Sequence, residues 1–255
     1  MLKKRIIPVQ LLMNGRLVKS KRFKDWRDVG DPVKSSAVYS SQSADELLFL
    51  NIDREQRSLE SLAKVIEAVS EECFMPVTFG GGIRSFDDAA FLIRNGADKV
   101  VINTAAYSDI SIITRTAEVF GTQAVIAAVD AVGQADAPQG YQLVSNCASS
   151  PETVDILSHV ERCIDAGAGE IFVQSVDRDG MMGGFDIALI KMVSEVSSVP
   201  VIACGGSGNY EQLKDAFLET DVSALACGSL FNFSDSNPLR AKAYLSNYGL
   251  NFKVV

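Results

Sequence analysis

The sequence predicts an α/β protein with the fold of a (β/α)8 TIM barrel and a two-fold internal repeat. The first indication is an alternation of short β-branched runs with helical periodicity, which is typical of parallel strands buried on both faces. The second is a repeat: the segment at Ala44 returns at Ala168, and the segment at Pro76 returns at Pro200, each after 124 residues (168 − 44 and 200 − 76). The third is size, since 255 residues with 47% hydrophobic content suit one barrel domain.

The repeat is recognisable residue by residue. Ala-Asp-Glu-Leu-Leu-Phe becomes Ala-Gly-Glu-Ile-Phe-Val, and Pro-Val-Thr-Phe-Gly-Gly-Gly becomes Pro-Val-Ile-Ala-Cys-Gly-Gly. A period of about half the chain indicates two homologous halves and excludes a solenoid, whose units are much shorter. We therefore expect a single domain over residues 1–255, with half-barrels at about 1–122 and 123–255.

Eight strands are predicted in chain order, at 5–11, 46–51, 76–79, 99–103, 124–130, 170–175, 199–204 and 224–228. Helices are predicted between or after them, at 58–70, 86–94, 110–120, 154–166, 187–196, 210–219 and 238–247. The helix at 86–94 begins with a capping-box-like pattern from Ser85 to Asp88. Two longer connections, 12–30 and 131–149, follow the first and fifth strands. Because these places are equivalent in the two halves, we expect both connections to act as lids, with Trp26 as a lid contact.

Composition excludes several classes of function. A net charge of −8, with the basic residues mostly dispersed, argues against a nucleic-acid partner. No apolar run is long enough for a membrane span. The five cysteines lack CxxC spacing, which indicates reduced thiols and a cytoplasmic location. The single histidine, His159, excludes mechanisms that need two, and we expect neither a metal nor a cofactor.

Glycine clusters follow strands at matched places in the two halves. In the first half, 80–82 precedes a strand that ends in Asn103 and Thr104; in the second, 205–208 and 228–229 follow strands seven and eight. Loops after strands seven and eight are the usual phosphate sites of this fold, where backbone N–H groups meet an anion. Tight turns also need glycine, which is the alternative interpretation. The matched placement favours phosphate or diphosphate binding.

Carboxylates end two strands at the predicted functional rim. Asp130 closes an otherwise apolar run, so it is either a group poised for proton transfer or a hydrogen-bonded anchor for a loop. Asp179 lies in the segment 177–180, Asp-Arg-Asp-Gly, after strand six. That segment is either a turn held by aspartate side chains or part of the site.

Charged residues lie at or just before the opposite ends of four strands: Arg5, Glu46, Lys99 and Glu170. Because unpaired buried charges are unfavourable, we expect them to pair with one another as a plug at the bottom of the barrel. The alternative is a set of ordinary surface ion pairs, which contribute little.

The order of these motifs resembles the cyclase subunit of imidazole glycerol phosphate synthase over essentially the whole chain. The segments that carry the resemblance are 5–8 (Arg-Ile-Ile-Pro), 15–19 (Gly-Arg-Leu-Val-Lys), 30–33, 44–47, 80–84 (Gly-Gly-Gly-Ile-Arg), 96–106, 167–171 and 177–180. The resemblance implies a barrel of the ribulose-phosphate-binding type that receives ammonia from a separate glutaminase docked at its bottom. The ammonia then crosses the barrel to a phosphorylated substrate held at the top.

The resemblance also implies roles for individual residues. One phosphate would be held by Gly82, Asn103 and Thr104. The other would be held by the loop containing Asp179 and by Gly180, Gly206, Gly228 and Ser229. Lys19 corresponds to the lysine of the mobile first loop, and Asp98 to an acid at the glutaminase interface. The four charged residues at the strand starts correspond to the gate of the ammonia path.

One departure from the family pattern decides between functions. Asp130 matches one of two catalytic aspartates, but Leu11 stands where the other is expected, and Asn51 replaces a further aspartate. Leucine cannot transfer a proton, and losing one positioned acid or base typically lowers a rate by ~10²–10⁴. The pattern resembles paralogues in bacterial surface-polysaccharide pathways. In those, glutaminase and barrel supply ammonia to a third protein, a sugar amidotransferase that converts an acetamido to an acetamidino group.

Three hypotheses follow. The first, which we adopt, is an ammonia-channelling subunit for sugar amidation in surface-polysaccharide biosynthesis. The second is an ordinary imidazole glycerol phosphate synthase cyclase of histidine biosynthesis, favoured by Asp130 and Lys19. The third is a non-catalytic activator of the glutaminase.

Overall fold

The computed structural model describes residues 3–53 and 59–253. Eight parallel strands form a closed barrel in the order β1, β4, β5, β6, β7, β10, β11, β12, with β12 pairing back to β1. Their bounds are β1 Arg5–Met13, β4 Leu47–Asn51, β5 Val77–Gly80, β6 Lys99–Ile102, β7 Val125–Gly133, β10 Glu170–Ser175, β11 Val201–Cys204 and β12 Ala224–Cys227. The predicted (β/α)8 barrel is confirmed, with strand boundaries that differ from the predicted ones by at most three residues.

Two antiparallel hairpins extend the barrel at its top. β2 Arg16–Lys21 and β3 Lys24–Gly30 continue from β1, and β8 Tyr141–Ser145 and β9 Ser150–Pro151 continue from β7. They account for the two long connections, which the sequence analysis did not recognise as strands. Their matched positions agree with a repeat of two halves; the half-barrel boundary itself stays a prediction.

Helices surround the barrel, with bounds α1 Pro32–Ser41, α2 Leu59–Glu72, α3 Phe86–Arg94, α4 Thr104–Ser108, α5 Ser111–Phe120, α6 Ile156–Asp165, α7 Ile187–Val196, α8 Tyr210–Glu219, α9 Ser229–Phe233 and α10 Pro238–Ser246. The capping box of α3 is present, because Ser85 and Asp88 bond each other's backbone N–H groups. The predicted start of α2 at Ser58 lies outside the described residues. Within the described ranges, no helix is long and apolar enough to cross a membrane.

The predicted helices did not include α1, α4 or α9. α1 begins at Pro32 after Asp31, whose side chain accepts a hydrogen bond from the Lys34 N–H, so local capping starts the helix. The apolar residues of α1 do not form a clear stripe along one face, so hydrophobic periodicity did not predict this helix.

The core has two layers. The larger layer lies between the strands and the helices and includes the stacked rings of Phe49 and Phe79, 4.9 Å apart. The smaller layer fills the inside of the barrel with alternate strand residues, including Ile7, Leu48 and Phe172. The inside of the barrel is therefore mostly apolar between the two ends of the strands, with Thr78, in register with Leu48, as a buried polar residue.

Candidate active site

A closed ring of ion pairs occupies the bottom of the barrel. Arg5 contacts Glu46 at 2.5 Å and Glu170 at 2.5 Å, and Lys99 contacts the same two carboxylates at 3.0 Å and 2.5 Å. Burial opposes ionisation of Glu170, but the hydrogen bonds and charges of Arg5 and Lys99 lower its pKa below the ordinary value. The structure thus brings the four predicted gate residues together, and their role as a gate stays a prediction.

Two further residues mark this end of the barrel. Asp98 precedes β6, and its Oδ2 accepts a hydrogen bond from the Val77 N–H at 2.8 Å. Phe74, in the connection before β5, is 96% exposed. The sequence analysis selected Asp98 but missed Phe74, since a single exposed aromatic residue has no pattern in the sequence. Phe74 is thus an exposed apolar side chain at the end of the barrel where the strands begin, which is also the end of the charged ring.

A cavity of about 680 Å³ opens at the other end of the barrel. The β2–β3 hairpin contributes Phe23 and Trp26 to its lining, and a lid role for Trp26 stays a prediction. The β8–β9 hairpin contributes Ser145 and Asn146. Both hairpins therefore wall the space above the strand ends, as expected for lids.

Asp130 lies in this cavity and is 8% exposed. Its Oδ2 accepts a hydrogen bond from Asn103 Nδ2 at 2.9 Å. Burial raises the pKa of Asp130 to about 7, although the Asn103 bond opposes that rise. A carboxyl group with a pKa near neutrality is well matched to giving or taking a proton.

Leu11 lies on β1 beside Leu50 of β4, and both line the cavity that holds Asp130. The position predicted for the missing acid therefore does face the candidate site, and it presents a methyl group there. Asn51 also lines the cavity, and its side-chain oxygen accepts the backbone N–H of Asp53 at 3.0 Å. Neither replacement supplies a second group that transfers protons.

The first-half phosphate candidates, Gly82, Asn103 and Thr104, line the same cavity. Thr104 Oγ1 accepts a hydrogen bond from the Asn146 N–H at 3.1 Å, so the β8–β9 hairpin is tied to this corner. The neighbouring Gly81 has φ +87°, and an added Cβ would lie 2.0 Å from a backbone oxygen. The turn interpretation therefore explains Gly81, and Gly82 remains a candidate for the anion.

The second-half candidates meet in a smaller recess between β1, β11 and β12. Its lining includes Lys19, Asp179, Gly180, Gly206, Gly228 and Ser229. Lys19 Nζ donates to the Val9 carbonyl and lies 2.8 Å from the position that a Cβ of Gly228 would take. Burial lowers the pKa of Lys19 to about 8, against the opposing charge of Asp179. An ammonium group is thus already in place beside these glycines.

Asp179 connects the β2–β3 hairpin to this recess. Its Oδ2 accepts hydrogen bonds from Ser20 Oγ at 2.9 Å and from the Phe23 N–H at 3.4 Å. Gly180 approaches the Ser20 carbonyl so closely that a Cβ would lie 2.1 Å from it. Asp179 therefore ties its segment to the first hairpin, and Asp179 and Gly180 both line the recess; their part in binding stays a prediction.

Several cavity residues were not selected from the sequence: Arg84, Tyr107, Ser145, Glu152, Phe172 and Gln174. Gln174 is beside Asp130 in the β10–β7 register, and a strand-end position could have revealed it. Ser145 and Glu152 lie on the second hairpin, where no motif signals them.

These features define a class: a (β/α)8 barrel with a buried carboxyl group in a top cavity, glycine-lined recesses beside it, and a ring of ion pairs at the bottom. The family described as "Histidine biosynthesis protein" matches residues 5–236. The chain belongs to this family and, within it, to the imidazole glycerol phosphate synthase cyclase family that its motifs predicted.

Two relatives are similar over nearly their whole length. "Imidazole glycerol phosphate synthase subunit HisF" of Lacticaseibacillus paracasei is 41% identical over 245 residues, which cover 96% of this chain and 97% of the relative. The protein of the same description from Staphylococcus carnosus is 38% identical over 253 residues, which cover 99% of both chains.

Proposed function

We propose that the protein is the ammonia-channelling subunit of a glutamine amidotransferase and works with a separate glutaminase. In the finer form of this proposal, the ammonia goes to a third protein, a sugar amidotransferase, for amidation of an acetamido sugar in surface-polysaccharide biosynthesis. The observation that carries the proposal is Leu11, which faces the cavity of Asp130 while the ring of ion pairs at the other end is complete.

The interior suits neutral ammonia. Beyond the ring, side chains such as Ile7, Leu48 and Ile126 fill the barrel and offer no partner for a charged ion. An ammonium ion without a counter-charge is strongly disfavoured there, whereas neutral ammonia loses far less on leaving water. The glutaminase would dock at the end that carries the ring, Asp98 and the exposed Phe74.

The loss of the second acid argues against ring-closing chemistry. A reaction that moves protons at two places needs two positioned groups. Position 11 holds leucine, and Glu152, a second carboxylate that lines the cavity, follows β9 and accepts a hydrogen bond from Ser145 Oγ. Delivery of ammonia through the barrel requires no proton transfer at that position. Lys19 and the glycine recesses would then hold a phosphorylated ligand that signals occupancy to the glutaminase.

The second candidate function is the cyclase reaction of histidine biosynthesis. The relatives at 38–41% identity favour it, as do Asp130 with its raised pKa and the two glycine-lined recesses. We retain the cyclase function as the alternative because the sugar-amidation proposal rests on the resemblance and on Leu11 alone. The third hypothesis, a pure activator of the glutaminase, predicts that changes inside the charged ring leave nitrogen transfer unaffected.

The deciding experiment supplies ammonium and the bis-phosphorylated histidine precursor to the purified protein, with the Staphylococcus carnosus relative assayed in parallel. We expect ring closure to be slower than in the relative by ~10²–10⁴. Comparable rates would overturn the channelling proposal in favour of the cyclase. For the finer proposal, glutaminase, barrel and sugar amidotransferase are mixed with glutamine, and the amidino product should require all three.

A further inference from the structure

One loop contacts both hairpins at the top of the barrel. It joins β10 to α7 over residues 176–186 and is called here the β10–α7 connection. Its Asp179 accepts two hydrogen bonds from the β2–β3 hairpin: Ser20 Oγ donates to Oδ2 at 2.9 Å, and the Arg22 N–H donates to the backbone carbonyl at 3.0 Å. Ser20 is 5% exposed, so its contact is shielded from water. The first hairpin therefore depends on this connection for part of its anchoring.

The second hairpin is anchored to the same connection at two points. Asp177 Oδ2 accepts a hydrogen bond at 2.8 Å from the N–H of Gly133, at the end of β7 where β8 pairs with it. Tyr141 Oη, at the start of β8, donates to Asp186 Oδ1 at 2.8 Å. The Asp177 carbonyl also accepts a hydrogen bond from Arg22 Nε of the first hairpin at 3.3 Å. Asp177 is thus bonded to both hairpins at once.

Both hairpins have turns that need support from the rest of the protein. The turn of the first places Arg22 and Phe23 at φ +50° and +59°, and the turn of the second places Asn146, Cys147 and Ala148 at +50°, +55° and +60°. Left-handed backbone is unfavourable for most residues other than glycine, and tight hairpin turns of this kind favour Asn-Gly. Isolated two-stranded hairpins are also marginally stable at best. The contacts with the β10–α7 connection therefore help to keep both hairpins ordered.

We propose that the two hairpins and the β10–α7 connection form one cooperative unit, which opens and closes over the top cavity as a whole. Release of the first hairpin removes bonds that hold Asp177 and Asp179, and the connection can then release Gly133. The connection is suited to such movement, because its residues form turns and irregular backbone. Since the hairpins wall the cavity together, a ligand or partner that orders one of them also orders the other. This coupling goes beyond both functions proposed above and depends on neither.

Native-state hydrogen exchange of the full chain, followed by mass spectrometry at rising sub-denaturing urea concentrations, tests the proposal. Amides that open in one cooperative unit share one opening free energy. We expect the amides of β2, β3 and β8 to converge on a common value that lies below that of β10. Ser20→Ala should accelerate exchange by about tenfold, and Asp177→Ala, which removes a more exposed acceptor, by about threefold. Each change should act on both hairpins by the same factor.

The matched control is Ser36→Ala in α1. Ser36 is buried like Ser20, and its hydroxyl donates one hydrogen bond, to the Pro32 carbonyl at 2.8 Å. This change should leave exchange in both hairpins at the wild-type rate. The proposal is overturned if Ser20→Ala accelerates the first hairpin alone, if Asp177→Ala accelerates the second alone, or if the hairpins keep separate opening free energies in urea. Equal acceleration of both hairpins by Ser36→Ala and Ser20→Ala would also overturn it, because the effect would then be general destabilisation.

Discussion

Replacing Lys99 by methionine tests whether the charged ring is both a structural plug and a gate. Lys99 bridges Glu46 at 3.0 Å and Glu170 at 2.5 Å, and its side chain is 15% exposed. Methionine keeps the approximate length of the side chain and removes the charge. Arg5 then faces two carboxylates alone, and one of their negative charges is left without compensation.

The size of the effect follows from the burial of the ring. Removing one partner of a buried ion pair is destabilising by about 3–5 kcal/mol, and the remaining Arg5 contacts and partial exposure reduce this to about 2–3 kcal/mol. For a chain of this size we expect a decrease in melting temperature of about 4–12 °C. As a control, Lys191→Met removes an exposed lysine that lies 4.0 Å from Glu219. We expect this change to lower the free energy of unfolding by less than about 1 kcal/mol.

The pH dependence has a definite sign. The pKa of Glu170 is lower in the folded protein than in the unfolded chain. The ion pairs of Glu170 therefore stabilise the protein at pH values above the pKa of an ordinary glutamate, and this stabilisation is lost as the pH falls through the lowered pKa. The difference in melting temperature between wild type and Lys99→Met should therefore be largest near pH 7 and shrink toward pH 3.

The functional assay compares two nitrogen sources. With the glutaminase and the acceptor system present, Lys99→Met should lower product formation from glutamine while glutamine hydrolysis continues. Product formation from added ammonium should be changed less, because ammonium in solution can reach the acceptor without passing the ring. If glutamine-dependent transfer and stability both match those of Lys191→Met, the ring is neither plug nor gate and the reasoning is refuted.

Three further outcomes follow from the structure. Burial raises the pKa of Asp130 to about 7, so the contribution of Asp130 to the free energy of unfolding is lost as pH rises from 4 to 8. In urea unfolding, the free energy of unfolding of Asp130→Asn relative to wild type should therefore increase over that range, and a constant difference would contradict the assignment. Phe74→Ser should weaken glutaminase binding by about tenfold or more in calorimetry, with Phe233→Ser on α9 as a control of similar chemistry. Gly81→Ala should destabilise the protein by more than about 1 kcal/mol, whereas Gly183→Ala, with no atom within 4 Å of its added Cβ, should not.

The barrel was predictable because its signals are local and repeated. Buried parallel strands are continuous apolar runs, and the matched segments at 44–49 and 168–173 fixed the places of two of them. α1 was missed because its start depends on the cap at Asp31 and the fixed φ of Pro32 and not on an apolar stripe. The hairpin strands were missed because β3 is largely exposed and lacks the alternation of a half-buried strand.

The residues of the candidate site likewise include some that were selected from the sequence and some that were missed. Residues in glycine motifs or at strand ends, such as Gly206 and Asp130, were selected as candidates from their places in the sequence, and the resemblance supplied their expected roles. Tyr107 was not, because its position depends on the stack with His159, a contact between helices that are 52 residues apart (159 − 107). The ring of ion pairs lies between these cases: the residues were visible at strand starts, but only closure of the barrel brings Lys99 within reach of Glu170.

The residues on the two sides of the top cavity show why leucine at position 11 matters for the proposed function. On the β6–β7 side, Asn103 Nδ2 donates a hydrogen bond to Asp130 Oδ2, whereas Leu11, Leu50 and Phe172 present only carbon to the cavity. An aspartate at position 11 would face Asp130 across the barrel, and each charge would raise the pKa of the other. With leucine there, Asp130 owes its raised pKa mainly to burial and can serve a single proton-transfer step. Under the proposed function, the cavity would hold a ligand but would lack, at Leu11, one of the two strand-end carboxylates that the resemblance implies for ring closure.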